Sequence, residues 1–291
     1  MDREIWTRVM AAVQSADRQV PRCGRKCTYS DRKIVKMVLW ATWHDRPMRW
    51  ACDRSHYNTL CRIGQLPSES QFCRRRKKPR IQEMLRCANR YLADKGIPSK
   101  ITFLDGKPLP VGGFSRDPDA RNGYGVGGMQ RGYKLHAWTT QDGGIPLFSV
   151  HPLNEGEPKV ARQMAPDIPP DRLVVGDANY DSAPLYTEID NRGSQLLTPL
   201  KGRARSAARL RRMGPGRRQA LRLWDCVPDQ CQRLTKVERI EIERTFSALT
   251  CFGGGLTPLP PWVRRLTRVR LWVTAKLVIY HARLLARKTA G

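Results

Sequence analysis

Two aspartates stand directly after short apolar runs. Asp105 follows Ile101-Thr102-Phe103-Leu104, and Asp177 follows Leu173-Val174-Val175-Gly176. A carboxylate that ends a buried strand emerges at the carboxyl edge of a sheet, where open α/β sheets bind their ligands. Two such ends on neighbouring strands bring like charges together, and a cation between them relieves the repulsion. Mg²⁺ suits the pair, because it takes hard oxygen ligands and keeps waters for a phosphate or an attacking nucleophile. A third acid is expected from a helix over residues 236–250, where Ile242, Phe246 and Leu249 form the apolar seam. Glu243 borders that seam one turn after Arg239, whereas Glu241 points about 200° away from Glu243. Glu243 is the preferred ligand, with Arg239 near enough to orient it or to meet phosphate. The same spacing also describes an ordinary Arg–Glu pair along a helix.

The elements that must position these acids change type along the chain. Helical spacing is read over 1–20, 31–44, 69–78 and 80–94, with Ser30 and Ser68 as caps. Residues 51–64 are ambiguous. From 100 the pattern is extended: 101–104, an alternating run at 133–139, a turn at Asp142-Gly143-Gly144 and a return strand at 145–150. Pro146 favours an edge or a bulge there. Residues 112–132, rich in Gly, read as a long loop. A helix is expected near 157–166, a strand at 172–176, a short helix at 186–191 and a strand at 195–199. Helices over 236–250 and 263–288 close the chain. Helices, then strands, then helices make an α/β core between helical flanks. The expected division is a helical, basic DNA-binding region over 1–98 and a catalytic domain over 99–291 with a basic insert near 201–225.

Charge is distributed in the same three parts. The 291 residues carry 53 Lys and Arg against 26 Asp and Glu, a formal +27. Residues 1–100 hold 23 basic and 9 acidic groups, residues 101–199 hold 9 and 12, and residues 200–291 hold 21 and 5. Such an excess calls for a polyanion, and double-stranded DNA fits basic flanks around an acidic centre that holds cations. Arg74, Arg75, Arg76, Lys77 and Lys78 end a helix that suits the second helix of a helix-turn-helix; a solvated charged face has the same composition. Residues 201–222 hold nine basic and no acidic groups, Arg209, Arg211 and Arg212 among them, and are expected to settle against phosphates. No run of 18 uncharged apolar residues exists, so no membrane span is expected, and Met-Asp-Arg-Glu opens a charged segment unlike a signal peptide. The expected compartment is the cytoplasm. Nine cysteines at irregular spacing argue against a disulfide framework. Cys23 with Cys27, and Cys226 with Cys231, lack the nearby His that would complete a zinc site.

Four pieces in order carry a resemblance: Asp105-Gly106-Lys107-Pro108-Leu109-Pro110-Val111, then Gly132-Tyr133-Lys134-Leu135-His136, then Gly176-Asp177-Ala178-Asn179-Tyr180-Asp181, then Arg239 through Glu243 to Phe246. Over roughly residues 100 to 285 the chain resembles the DDE transposases of bacterial insertion sequences. The resemblance implies a ribonuclease H-like mixed-sheet core. It implies two Mg²⁺ ions, with Mn²⁺ as a substitute, held by Asp105, Asp177 and Glu243. It implies cleavage at insertion-element ends, strand transfer into target DNA, a homodimer in a synaptic complex and a place with the bacterial nucleoid. The family's C-terminal signature is tyrosine, two residues, arginine, three residues, glutamate, six residues, lysine. Arg239 and Glu243 match it, but Lys236 replaces the tyrosine and Thr250 the lysine, a role that Arg244 or another basic residue would have to fill. Lys107, Lys134 and Tyr180 are expected supporting or DNA-contacting groups. His136, His151 and Asp181 lie near the expected strand ends, where packing or capping is the commoner role. The Gly-rich stretch at 123–132 lacks the phosphate-loop pattern, so no nucleotide cofactor is expected. Two readings compete: a two-metal nuclease without strand transfer, and a catalytically impaired, domesticated DNA-binding protein.

Overall fold

The computed structural model describes residues 1–22, 27–96, 99–199, 212–251, 256 and 258–290. The helices before the sheet are α1 (Asp2–Gln19), α2 (Asp31–Trp43), α3 (Glu69–Arg76) and α4 (Pro79–Ala93). The strands are β1 (Ile101–Pro110), β2 (Arg121–Gly125), β3 (Gly128–Thr140), β4 (Leu147–Pro152), β5 (Leu173–Gly176) and β6 (Gln195–Leu197). Helices α5 (Glu157–Met164) and α6 (Ala183–Asp190) alternate with the later strands. Helices α7 (Pro215–Cys226), α8 (Pro228–Gln232), α9 (Ile240–Cys251) and α10 (Leu266–Ala290) follow.

Local chemistry explains these boundaries. The Ser30 hydroxyl accepts from the Lys33 amide at the start of α2, and Ser68 with Gln71 forms a capping box on α3. Pro79 opens α4, where its missing N–H removes no helical hydrogen bond. The ambiguous segment after α2 is two 3₁₀ turns, Met48–Cys52 and Arg54–His56. At the start of α10, Asp117 and Asp119 accept from the backbone N–H groups of Arg265 and Leu266 at 2.9 and 3.0 Å.

Contacts divide the chain into two units. The first takes Met1–Gly96, Phe114–Asp119 and Ala248–Gly291; the second takes Ile97–Gly113 and Ala120–Ser247. These units are discontinuous, unlike the division into 1–98 and 99–291. In the first unit, Val9, Val13, Val38, Trp40, Ile81 and Leu85 of α1, α2 and α4 share one core with Leu271, Ala275, Val278 and Ile279 of α10. Trp6 and Trp40 meet edge to face at 5.1 Å between ring centres. Helix α10 is apolar around most of its circumference, and burial is how such a helix is tolerated in water. No helix among the described residues is long and apolar enough to cross a membrane.

The second unit is built on a mixed, open sheet of order β2-β3-β1-β5-β6, with β4 also paired to β3. Strands β1, β5 and β6 run parallel, and β3 runs antiparallel to β1, β2 and β4. Val160 and Met164 of α5, Leu185 and Ile189 of α6 and Ala220 of α7 pack on Leu104, Trp138, Val174 and Leu196 of the sheet. The architecture is α/β, a mixed sheet with N- and C-terminal helices flanking it in the chain, consistent with a ribonuclease H-like core.

The structure corrects three local expectations. Residues 112–132 are not one loop: β2 and the start of β3 form a hairpin arm whose turn has Gly127 and Gly128 at φ 86° and 116°. Tyr124 and Met129 on this arm are exposed, and the buried position of β2 is a glycine, Gly123, so no apolar alternation shows in its sequence. Second, β1 does not stop at Leu104. Its parallel partner stops there, at the pair Leu104↔Gly176, while its pairing with β3 continues to Pro110↔Gly132. The Val111 amide donates to Arg131 on β3, so by alternation the imide nitrogens of Pro108 and Pro110 face the side where β5 has ended. Third, the helix read over 236–250 is not uniform: Arg233–Glu238 winds as a π-helix before α9 begins.

Candidate active site

The pairing of β1 with β5 sets the first two acids. Leu104 and Gly176 are the last paired residues, so Asp105 and Asp177 are each one step beyond the same rung. Adjacent strands lie about 4.8 Å apart, which makes the two carboxylates neighbours at the end of β5. Space is tight at Gly176: a Cβ on it would meet the Tyr180 side chain at 3.1 Å, and the buried ring would have to give way. The Asp177 carboxylate accepts from the Asn179 amide at 2.7 Å and so caps the 3₁₀ turn Ala178–Tyr180. That turn tucks Tyr180 under the site, fully buried.

The Asp105 side chain is 19% exposed and meets the Arg239 guanidinium at 3.2 Å. Its other oxygen accepts from the Gly106 amide at 2.8 Å. Burial pushes its pKa up to about 6; Arg239 and the Gly106 amide oppose the rise, and the charges of Asp177 and Glu157 add to it. Burial likewise pushes the Tyr180 phenol well above its ordinary range, and Glu157, Asp105 and Asp177 push it further. The Tyr180 hydroxyl has no hydrogen-bond partner among the described residues.

Glu157 is the acid that sequence reasoning missed. It opens α5, and its carboxylate meets the Lys134 ammonium at 2.8 Å; the two side chains are 15% and 13% exposed. The pair runs past Gly106, where an added Cβ would stand 2.8 Å from Glu157 Oε1 and from Lys134 Cδ. A cleft of about 780 Å³ opens beside it, lined by Gly106, Tyr124, Lys134, Glu157 and Asn179 among others. The available signal was the helix start Gly156-Glu157-Pro158, which puts a carboxylate on the first turn.

Helix α9 buries Ile242, Phe246 and Leu249, the seam read from the sequence, and leaves Glu243 exposed. The acids acting on Asp105 are Asp177 and Glu157. Glu241 pairs with Arg244. Lys107 lies over the Phe246 ring, 5.8 Å from its centre. Asp181, expected to assist or to cap, is instead in an ion pair with Arg217 at 2.8 Å. His136 is 1% exposed, and burial, then the charges of Lys134 and His151, hold its pKa down to about 3, so it is a neutral packed ring. His151 Nε2 hydrogen-bonds the Ser149 hydroxyl. Among the described residues, no three acidic, imidazole or thiol side chains already stand close enough to hold a metal.

The basic residues divide by exposure. Arg75 pairs with Asp31 and Arg76 is buried at 8% exposure, so these two serve the helical core. Arg74, Lys77 and Lys78 are exposed. Arg212 lies exposed in a turn before α7, while Arg209 and Arg211 fall outside the described residues. Cys23 also falls outside them; Cys226 is exposed and Cys231 buried.

The family model described as the transposase DDE domain matches residues 97–275. No curated protein matches the chain. Among solved structures, a piggyBac transposase synaptic complex with hairpin DNA, determined by cryo-EM, aligns at 12% identity and a TM-score of 0.36. The alignment covers 73% of this chain and 52% of that one, so the chain spans about half that protein's length. A likeness of that size carries no argument here.

Proposed function

Because the chain belongs to the DDE transposase family, we propose that it cuts and joins DNA by phosphoryl transfer with two divalent cations, Mg²⁺ or Mn²⁺, held by Asp105, Asp177 and Glu243. The observation that carries the proposal is the placement of Asp105 and Asp177 one step beyond the same rung of parallel strands. Their side chains fit a hard cation. Asp105 is pushed up to about 6 with a second acid beside it, and a buried phenol close by has no partner. Both are features that a bound cation with its waters would resolve. Glu243 enters as the third ligand from its position four residues after Arg239. Its exposure leaves it free of any competing packing role.

The cations would polarise the scissile phosphate and supply a hydroxide from bound water. The chain's own groups do the rest. Asp105 and Asp177 deliver negative charge from a rigid sheet edge. Arg239 holds the Asp105 carboxylate in place. Lys107, two residues beyond Asp105 on β1 and above the Phe246 ring, offers a cation to a phosphate. Arg74, Lys77 and Lys78, exposed at the end of α3, bind the DNA backbone without reading bases.

The test is Mg²⁺-dependent cleavage and joining of the element's terminal DNA by the wild type and by Asp177→Asn. Cleavage and joining by the wild type, with both lost in the variant, is the expected result; an unaffected variant overturns the proposal. Thr250, in place of the signature lysine, and the exposed Glu243 favour a second reading, a DNA-binding protein with impaired catalysis. On that reading neither protein cuts DNA, and both bind it equally. Cutting without joining of a 3′-hydroxyl end would identify a two-metal nuclease.

A further inference from the structure

We propose that Glu157 is a further carboxylate of the cation site, and that Lys134 is a built-in competitor which holds Glu157 until a divalent cation takes it. The inference rests on the reading of Asp105 and Asp177 as a cation site. Three observations carry it. Glu157 sits close enough to both Asp105 and Tyr180 for its charge to bear on each, although it comes from a different element, the first turn of α5. Gly106, the residue directly after Asp105, leaves room for the Glu157–Lys134 pair where it now lies, since an added Cβ would stand 2.8 Å from Glu157 Oε1 and from Lys134 Cδ and the pair would have to shift. The Tyr180 hydroxyl, fully buried and within reach of the charges of all three acids, has no partner among the described residues, so it is a donor awaiting an acceptor.

The pairing with Lys134 explains how Glu157 can lie near Asp105 without a metal. An ammonium at 2.8 Å neutralises Glu157, as the Arg239 guanidinium neutralises Asp105. A cation bound by Asp105 and Asp177 presents a doubled charge to the same carboxylate, and Glu157 turns from Lys134 toward it. Tyr180 then donates to a carboxylate oxygen or to a water of the filled site. The released Lys134 faces the cleft lined by Gly106, Tyr124 and Asn179, where a phosphate oxygen is its natural replacement partner.

Mn²⁺ titrated calorimetrically into the full chain tests this without any DNA. Glu157→Gln is expected to weaken Mn²⁺ binding about tenfold. Lys134→Met is expected to tighten it about threefold, because the competitor is gone, and the gain should vanish in the double variant. Thermal melting followed by circular dichroism checks that each variant is folded; should Glu157→Gln fail to fold, Lys134→Met still decides. Unchanged affinity in Glu157→Gln, or weaker binding in Lys134→Met, overturns the inference. If Asp105→Asn abolishes binding while Glu157→Gln does not alter it, only this inference falls. If the wild type shows no Mn²⁺ site that depends on Asp105, the proposed function falls with it.

Discussion

Asp17 in the helical unit and Asp105 in the sheet unit look alike. Their side chains are 16% and 19% exposed, and each faces an arginine, at 2.9 and 3.2 Å. Their acidities move in opposite directions. Burial raises the pKa of Asp17, but hydrogen bonds from Arg80 and Arg22 outweigh it and hold the group below its ordinary range. Arg80 also reaches Asp31, the backbone carbonyl of Val20 and that of Pro21. Asp105 has one arginine and one amide against burial and two further acids, and rises to about 6. The lesson is that an Asp–Arg contact is not one kind of interaction. In the helical unit a surplus of guanidinium groups makes a fastener; in the sheet a surplus of carboxylates makes a site short of positive charge.

That contrast can be broken at several points. The largest effect should be on activity: Asp105→Asn is expected to slow Mg²⁺-dependent DNA cleavage roughly a thousandfold while Asp17→Asn stays within about threefold. Equal losses in a gel assay would erase the distinction. Next comes Arg80→Ala, which leaves Asp17 with Arg22 alone and Asp31 with Arg75 alone, and should cost about 2 kcal/mol in urea unfolding. Arg239→Ala should cost less than half as much, because Asp105 protonates readily when its partner is removed.

Stability against pH sharpens the comparison further. Asp105 binds its proton more tightly folded than unfolded, so between about pH 4 and 6 the folded state carries the extra proton and loses stability as pH rises. Asp105→Asn should therefore raise stability at pH 7.5 by up to about 3 kcal/mol, with no gain at pH 4. Asp17 has the opposite sign: its contribution is present at neutral pH and is lost as acid protonates it, so Asp17→Asn should destabilise at pH 7.5. Melting curves of both variants at the two pH values would show the crossover or its absence. The smallest effect is that of Tyr180→Phe, which removes a buried hydroxyl without a partner and should stabilise the metal-free chain by about 1 kcal/mol in urea unfolding. Destabilisation by that change would mean that the hydroxyl is satisfied in the folded chain.

The parts legible in the sequence were those with a period. Apolar runs ending in Asp105 and Asp177, the seam of α9 and the helices with Ser30 and Ser68 caps all announce themselves through burial or through a starved backbone amide. The hairpin arm of β2 and β3 did not, because the buried position of β2 is a glycine, Gly123, and the larger side chains Tyr124 and Met129 face water, so no apolar alternation marks it. The π-helical turn at Arg233–Glu238 did not either, since an added residue in one turn leaves composition unchanged. Glu157 was missed for a third reason. Its place beside Asp105 depends on where α5 begins relative to β1, a long-range relation that no short spacing encodes.

The core shared by α10 with α1, α2 and α4 bears on how the polypeptide is made. Synthesis runs from the amino end, so the early helices leave the ribosome long before their missing wall exists. Until α10 emerges, the apolar surfaces of Ile34, Val38, Ile81 and Leu85 must be shielded by chaperones or by transient collapse. The helical unit, begun first in translation, thus cannot complete its core until the last of its helices has been made.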